Sequence, residues 1–191
     1  MRIVGGRLRG RTLLGPRSDA IRPTSDRLRE TIFNVLIHAY DDTVAGARVI
    51  DLFAGTGAMG LEALSRGAAF AVFVDEGAEA RGLIRANIEA FGLGGQSRLF
   101  RRDATRMGTA APNDPFSLLF CDPPYGRDLA PKALASCAAG GWLVPGALAV
   151  IEEAQGVTVG LPAGFEELER RAYGETTVLV ARFGRSAGAA D

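Results

Sequence analysis

The chain has 191 residues, of which 47% are hydrophobic and 23% are charged, and its formal net charge is zero. This is the composition of a globular protein, with enough residues for one domain with a sizeable core. Cys121 and Cys137 are isolated and His38 is the one histidine, so a disulfide framework and a metal site are both disfavoured. Because neither a secretory signal nor a membrane-spanning run is visible, we expect a cytoplasmic protein that does not bind a membrane.

The zero net charge hides a basic N-terminus. Residues 1–30 contain eight arginines and three acidic residues, a net charge of +5, so the rest of the chain carries −5. A basic segment on an acidic body indicates nucleic-acid binding, although a solvated basic face is the alternative. The candidate RNA-binding residues are Arg7, Arg9, Arg11, Arg22 and Arg27.

The predicted elements begin with a small hairpin over residues 2–14 and a helix that begins near Ser25 and ends near Tyr40. Strands and helices then alternate. Strands are predicted over 48–53, 70–74, 98–101, 116–121 and 148–152, helices over 58–66, 78–91 and 129–138, and a final antiparallel hairpin over 165–171 and 177–183. This alternation predicts an α/β fold with a mainly parallel sheet. We divide the chain into a basic extension (1–45), an α/β domain (46–184) and a flexible tail (185–191).

The segment Asp122-Pro123-Pro124-Tyr125 follows the fourth predicted strand. Open α/β sheets bind their ligands at the carboxyl ends of their strands. The prolines remove two N–H donors, which leaves an edge rich in acceptors for the hydrogens of a planar amino group. Tyr125 adds a ring on which a nucleobase can stack. The alternative is a structural turn, but the combination favours chemistry on the exocyclic amine of a base.

The first predicted strand runs into a glycine-rich loop, Asp51-Leu52-Phe53-Ala54-Gly55-Thr56-Gly57. With Gly60, and with Asp75 lying 20 residues beyond Gly55, it fits a dinucleotide fingerprint and by itself permits NAD or FAD. The negative charge of Asp51 would oppose a pyrophosphate. It suits the ammonium of S-adenosylmethionine, which has no phosphate.

Carboxylates follow successive predicted strands at Asp51, Asp75, Asp103 and Asp122. Asp75 can accept hydrogen bonds from ribose hydroxyls, and Asp103 from the adenine amino group. Taken singly, each could be a helix cap or a surface acid. Together they favour a cationic cofactor.

With both motifs in view, the chain resembles the class I S-adenosylmethionine-dependent methyltransferases, and more narrowly the RsmD family of 16S rRNA guanine-N2 methyltransferases. The selective segments are Ile3-Val4-Gly5-Gly6-Arg7-Leu8-Arg9-Gly10-Arg11 and Arg22-Pro23-Thr24-Ser25-Asp26-Arg27-Leu28-Arg29-Glu30-Thr31-Ile32-Phe33-Asn34. The resemblance implies a Rossmann-like, seven-stranded sheet whose last strand is antiparallel. One departure is Asp75, where the family more often has Glu.

The resemblance also implies the reaction and its residues. We expect methyl transfer to a guanine N2 of 16S rRNA, on an assembled or partly assembled small ribosomal subunit, with S-adenosylhomocysteine as product, no metal and a monomeric enzyme. The expected catalytic residues are Asp122, Pro123, Pro124 and Tyr125. The expected cofactor-binding residues are Asp51, Phe53, Ala54, Gly55, Gly57, Asp75, Asp103 and Ala104. The alternatives are a DNA adenine-N6 methyltransferase and a non-catalytic RNA-binding assembly factor.

Overall fold

A computed structural model describes residues 1–16 and 24–184 of the chain. The predicted RNA contact Arg22 and the predicted tail 185–191 lie outside the described residues. The chain divides into two units, Met1–Arg102 and Asp103–Asp191.

The described residues of the first unit form three α-helices and three strands, besides short 3₁₀ turns. They are α1 (Asp26–Ala39), β1 (Arg48–Leu52), α2 (Ala58–Ser65), β2 (Phe70–Val74), α3 (Ala78–Phe91) and β3 (Ser97–Phe100). β2 lies between β1 and β3 and is parallel to both. Each of these six elements was predicted to within one residue at each end.

Local sequence explains how the helices of the first unit begin and pack. The Ser25 hydroxyl caps α1 by accepting a hydrogen bond from the Leu28 N–H, 3.1 Å away. α2 is buried along its whole length. At Gly60, a Cβ atom would lie 2.4 Å from the Phe73 ring of β2. Glycine therefore allows this helix to pack directly on the sheet.

A buried carboxylate organises the N-terminal half of the first unit. Glu62 on α2 is fully buried, as is Arg29 on α1, whose Nε donates to Glu62 Oε2 at 3.3 Å. Arg66 Nε donates to Oε1 at 2.8 Å. The backbone N–H groups of Val4 and Gly5 donate to the same carboxylate at 2.9 and 2.8 Å. One side chain thus holds two helices and the first residues of the chain.

Arg29 extends this network to the start of the chain. Its guanidinium also donates to the carbonyl of Arg2 and to Asp26 Oδ1. Burial raises the pKa of Asp26, but hydrogen bonds from the Arg2 N–H and from Arg29 outweigh it and hold that pKa below its ordinary value. Arg29 was counted in the basic N-terminus, but the structure places it in the core.

The predicted N-terminal hairpin is reduced to one antiparallel bridge between Arg2 and Thr12, around a 3₁₀ turn at Gly6–Leu8. The reason lies in the backbone donors. The N–H groups of Val4 and Gly5 go to Glu62, and that of Leu8 goes to the Ser65 hydroxyl at 2.9 Å. Donors that bind α2 are not used in a strand ladder, so the segment lies on the unit as a closed loop.

Up to residue 184, the second unit has four strands and one α-helix, besides a short 3₁₀ turn. They are β4 (Phe116–Cys121), α4 (Leu129–Ala139), β5 (Leu143–Ala154), β6 (Phe165–Tyr173) and β7 (Thr176–Phe183). The strands follow the order β4-β5-β7-β6. β4 and β5 are parallel, whereas β7 is antiparallel to β5 and to β6. The predicted antiparallel last strand is therefore confirmed.

β5 is longer than the predicted strand over 148–152. It begins at Leu143 and includes Pro145 and Gly146, which lie outside the predicted strand. The pairing register with β4 shifts between Phe116 and Leu118, and this irregularity accommodates the extra residues.

Both cysteines are buried, and neither forms a disulfide within the described residues. Burial raises the pKa of the Cys137 thiol to about 12. Among the described helices, none has the length and apolar character needed to cross a membrane.

We predict that Glu62→Gln lowers the free energy of unfolding by about 3–5 kcal/mol, because it removes the buried negative charge that pairs with Arg29 and Arg66. Urea unfolding at neutral pH measures this change. Glu89→Gln, on the exposed face of α3, is the control and is expected to change stability by less than about 0.5 kcal/mol. Equal losses in the two variants would contradict the role of Glu62.

Candidate active site

The glycine-rich loop joins β1 to α2 in the first unit. Phe53, Gly55 and Gly57 all have positive φ angles, of 56°, 55° and 79°. For Phe53 this left-handed conformation costs about 1–2 kcal/mol, since its Cβ approaches the backbone. Strain of this kind is retained where a loop has a function. Ala54 is buried between these residues, and its N–H donates to the Val74 carbonyl at 3.1 Å.

Asp75 follows β2 and holds the glycine-rich loop directly. Its Oδ2 accepts the Gly55 N–H at 2.9 Å, and its Oδ1 accepts the Gly77 N–H at 2.7 Å. The aspartate that the sequence pairs with the loop is thus in contact with it. The shorter side chain, relative to the family's usual Glu, reaches the loop backbone.

Asp51 lies within β1 and is 3% exposed. Its Oδ2 accepts the Gly60 N–H in the first turn of α2, at 2.9 Å. The helix-cap role that the sequence left open is therefore present. A carboxylate has about four acceptor positions, so this cap is compatible with a contact to a cofactor.

Sequence reasoning missed Asn87, which is fully buried on α3. Its Oδ1 accepts the Leu14 N–H at 2.8 Å, and its Nδ2 donates to the carbonyls of Leu14 and Thr56 at 3.2 and 3.1 Å. Thr56 belongs to the glycine-rich loop. One amide side chain therefore ties this loop to the N-terminal segment.

In the second unit, Asp103 caps the 3₁₀ turn Ala104–Arg106. Its Oδ1 accepts from the Thr105 hydroxyl at 2.7 Å and from the Thr105 N–H at 2.8 Å, and these bonds hold the pKa of Asp103 below its ordinary value. Ala104 is buried. The turn is anchored to α4, because Ser136 Oγ accepts the Met107 N–H at 2.7 Å.

The Asp-Pro-Pro-Tyr segment leaves the end of β4 in the second unit. Asp122 is half-buried, Pro123 is buried and Pro124 is exposed. The half-buried Tyr125 has its hydroxyl 3.4 Å from Thr176 Oγ1 at the start of β7. The segment is thus anchored by the buried Pro123, while Asp122, Pro124 and Tyr125 keep part of their surface accessible.

Glu153, near the end of β5, was also missed by the sequence analysis. It is 3% exposed, and its Oε1 accepts the N–H of Gly126 at 3.0 Å and the N–H of Ala154 at 2.9 Å. Gly126 directly follows Tyr125 and has a φ of 70°. Glu153 therefore fixes the backbone just after the Asp-Pro-Pro-Tyr segment.

The described candidate RNA contacts are all exposed: Arg7, Arg9, Arg11 and Arg27. Arg7 donates to Gln96 Oε1 at 2.7 Å, and Arg11 donates to the Ala90 carbonyl at 2.7 Å. Arg7 thus contacts the connection between α3 and β3, and Arg11 contacts the last turn of α3.

Comparison with known proteins identifies the family. A family model described as "Conserved hypothetical protein 95" matches residues 1–182. The ribosomal RNA small subunit methyltransferase D of Escherichia coli is 39% identical over 165 residues, which cover 85% of this chain and 78% of the relative. The chain belongs to the RsmD family of methyltransferases.

Two further proteins support this assignment. A putative rRNA methyltransferase of Bacillus subtilis is 38% identical over 127 residues, or 65% of this chain and 67% of the relative. The solved structure of a putative methyltransferase from Escherichia coli has a TM-score of 0.82 and 30% identity, and covers 97% of this chain and 99% of that one. The predicted Rossmann-like methyltransferase fold, with seven strands in a mostly parallel mixed sheet, is confirmed.

Membership of the family makes the chain a methyltransferase and implies S-adenosylmethionine as the cofactor. Over residues 1–16 and 24–184, no cluster of three or more His, Cys, Asp or Glu side chains could hold a metal ion. The division of the chain at residue 45 and the role of each site residue stay predictions.

We predict that Glu153→Leu lowers kcat for methyl transfer at least tenfold, equivalent to about 1.4 kcal/mol, because the Gly126 backbone loses its acceptor. Glu153→Gln keeps an oxygen that accepts both N–H groups and is expected to retain most of the activity. Steady-state kinetics with both variants measures this. Equal activity of the Leu and Gln variants would show that Glu153 does not position the segment.

Proposed function

We propose that this enzyme transfers a methyl group from S-adenosylmethionine to the exocyclic N2 of a guanine in 16S ribosomal RNA, on an assembled or partly assembled small subunit. Its family and the printed names of its relatives support an rRNA substrate. The observation that carries the proposal is the Asp122–Tyr125 segment at the end of β4, which Glu153 and Thr176 hold in place. An rRNA substrate also implies that the enzyme acts in the cytoplasm.

The acidic residues beside the glycine-rich loop fit a cationic cofactor. Asp51 lies next to the loop and is assigned to the cofactor ammonium, and Asp75 to the ribose hydroxyls. The loop backbone is assigned to the cofactor through Phe53, Ala54, Gly55 and Gly57. When bound, S-adenosylmethionine supplies an electrophilic methyl group and is left as S-adenosylhomocysteine.

Asp103 and Ala104 are assigned to the adenine ring of the cofactor. Asp103 is ionised at neutral pH, and the hydrogen bonds from Thr105 lower its pKa further. An ionised carboxylate is a strong acceptor for an amino group. The buried Ala104 adds a small apolar surface against which a flat ring can lie.

The Asp-Pro-Pro-Tyr segment is assigned to the guanine. The Asp122 carboxylate and the Pro123 carbonyl accept the two hydrogens of the N2 amine, which favours a pyramidal nitrogen with an available lone pair. Tyr125 stacks on the extruded base, and Pro124 stiffens the segment. The chain therefore contributes mainly positioning and electrostatics.

The extension 1–45 is assigned to the RNA backbone. Arg7, Arg9, Arg11 and Arg27 are exposed and can contact phosphates, and Arg22 is expected to do the same. Such contacts determine affinity and orientation, whereas the choice of guanine depends on the base.

The proposal is tested by labelled methyl transfer to unmethylated 30S particles, naked 16S rRNA and duplex DNA. We expect label on 30S particles that digests to N2-methylguanosine. Label on DNA adenine alone would replace the RNA substrate with DNA. Binding of S-adenosylmethionine without transfer to any substrate would favour a non-catalytic assembly factor.

We predict that Asp122→Ala lowers kcat at least a hundredfold, about 2.7 kcal/mol, while the affinity for S-adenosylmethionine stays within twofold. Asp128→Ala removes an exposed carboxylate a few residues later and is the control, with activity near the wild type. Calorimetric cofactor titration and single-turnover kinetics separate the two effects. A parallel loss of cofactor binding and transfer in Asp122→Ala would contradict the assigned role.

A further inference from the structure

Three arginines lie in the edge strand β3 or directly after it. Residues 96–102 include Arg98, Arg101 and Arg102 and no acidic residue. All three arginines are exposed, and the Arg102 guanidinium lies 5.4 Å from the centre of the Phe100 ring. Within residues 1–16 and 24–184, neither Arg98 nor Arg101 forms an ion pair. We call these three arginines the β3 edge.

The β3 edge continues from the basic N-terminal segment. Arg7 donates to Gln96, which directly precedes β3, and the Arg11 guanidinium lies 4.8 Å from the centre of the Phe91 ring at the end of α3. From Gln96 to Arg102 an extended chain covers up to about 20 Å. The N-terminal segment therefore contacts the residue that directly precedes β3 and the helix that leads to it.

The other end of the β3 edge reaches the residues assigned to the cofactor. The Asp75 N–H donates to the Phe100 carbonyl at 3.2 Å, and Asp75 in turn accepts the Gly55 N–H of the glycine-rich loop. Arg101 follows Phe100 directly. The β3 edge thus lies in sequence between a contact of the N-terminal segment and a contact of Asp75.

Charge on an edge strand can also serve only to prevent pairing with another sheet. β6, the edge strand of the second unit, shows how mixed charges do this. Arg170 pairs with Glu167 at 2.8 Å, and Arg171 pairs with Glu169. An edge strand can be protected by charges of both signs, as on β6. The β3 edge has positive charges alone, and this favours binding of an anionic partner.

We propose that the β3 edge is a second RNA-binding surface, which holds phosphates of the substrate RNA between the N-terminal segment and the cofactor loop. This inference rests on the proposed rRNA substrate and adds residues that the N-terminal motifs do not include. RNA is the partner that fits, because its backbone presents successive phosphates that several nearby arginines can neutralise.

The test is RNA binding by the double variant R98Q/R101Q over a series of salt concentrations, with a 16S rRNA fragment as the probe. We expect the slope of log affinity against log salt to fall in magnitude by about 1.4, or about 0.7 for each lost contact to single-stranded RNA. The variant R170Q/R171Q changes the charge of β6 by the same amount and is the control, with an unchanged slope.

The outcomes separate this inference from the proposed function. If R98Q/R101Q has the wild-type slope while the wild type methylates 30S particles, RNA binding by the β3 edge is contradicted and the proposed function stands. If the wild type binds RNA with a slope that depends on the β3 edge but methylates no rRNA, the surface stands and the function is overturned. Wild-type protein that does not bind RNA overturns both.

Discussion

The Glu62 carboxylate lies in the interior of the first unit and accepts hydrogen bonds from two guanidinium groups and two backbone N–H groups. A buried charge of this kind is tolerated only when its acceptor positions are used, since an unpaired one costs several kcal/mol. The arrangement therefore fixes α1, α2 and the first residues of the chain in one geometry. If one of these groups is replaced, the charges or backbone N–H groups that it contacted lose that partner. The placement of the basic N-terminal segment follows from this constraint.

The second unit contains a similar arrangement with fewer hydrogen bonds. Glu153 is buried on β5 and accepts the N–H groups of Gly126 and Ala154, so the segment after Tyr125 is tied to a strand. In both units a glutamate on a regular element holds an irregular functional segment through its backbone. Backbone donors are independent of side-chain identity at the held positions. The functional segments can therefore keep side chains suited to chemistry, because their position does not depend on those side chains.

Sequence patterns predicted the element order and most boundaries, because glycines, caps and apolar periodicity are local signals. They did not predict the position of a residue where the contact that holds it is distant in sequence. Arg29 reads as part of a basic surface, and its burial depends on Glu62, which lies 33 residues away. Asn87 and Glu153 read as ordinary polar residues in a helix and a strand, since nothing nearby shows which backbone they bind. β5 extends through Pro145 and Gly146 because its partner β4 accommodates a shift in register. The site motifs were visible, whereas the residues that hold them were not.

The N-terminal segment has a particular place in the order of synthesis. Its anchors lie far along the chain: Val4 is 58 residues from Glu62, and Leu14 is 73 residues from Asn87. During synthesis these residues are made before α2 and α3. They can form their native contacts only after both helices have been synthesised. The basic segment is synthesised before the helices that bind it and acquires its structure after them. During that interval its arginines are exposed on an unfolded chain beside the ribosome's own RNA.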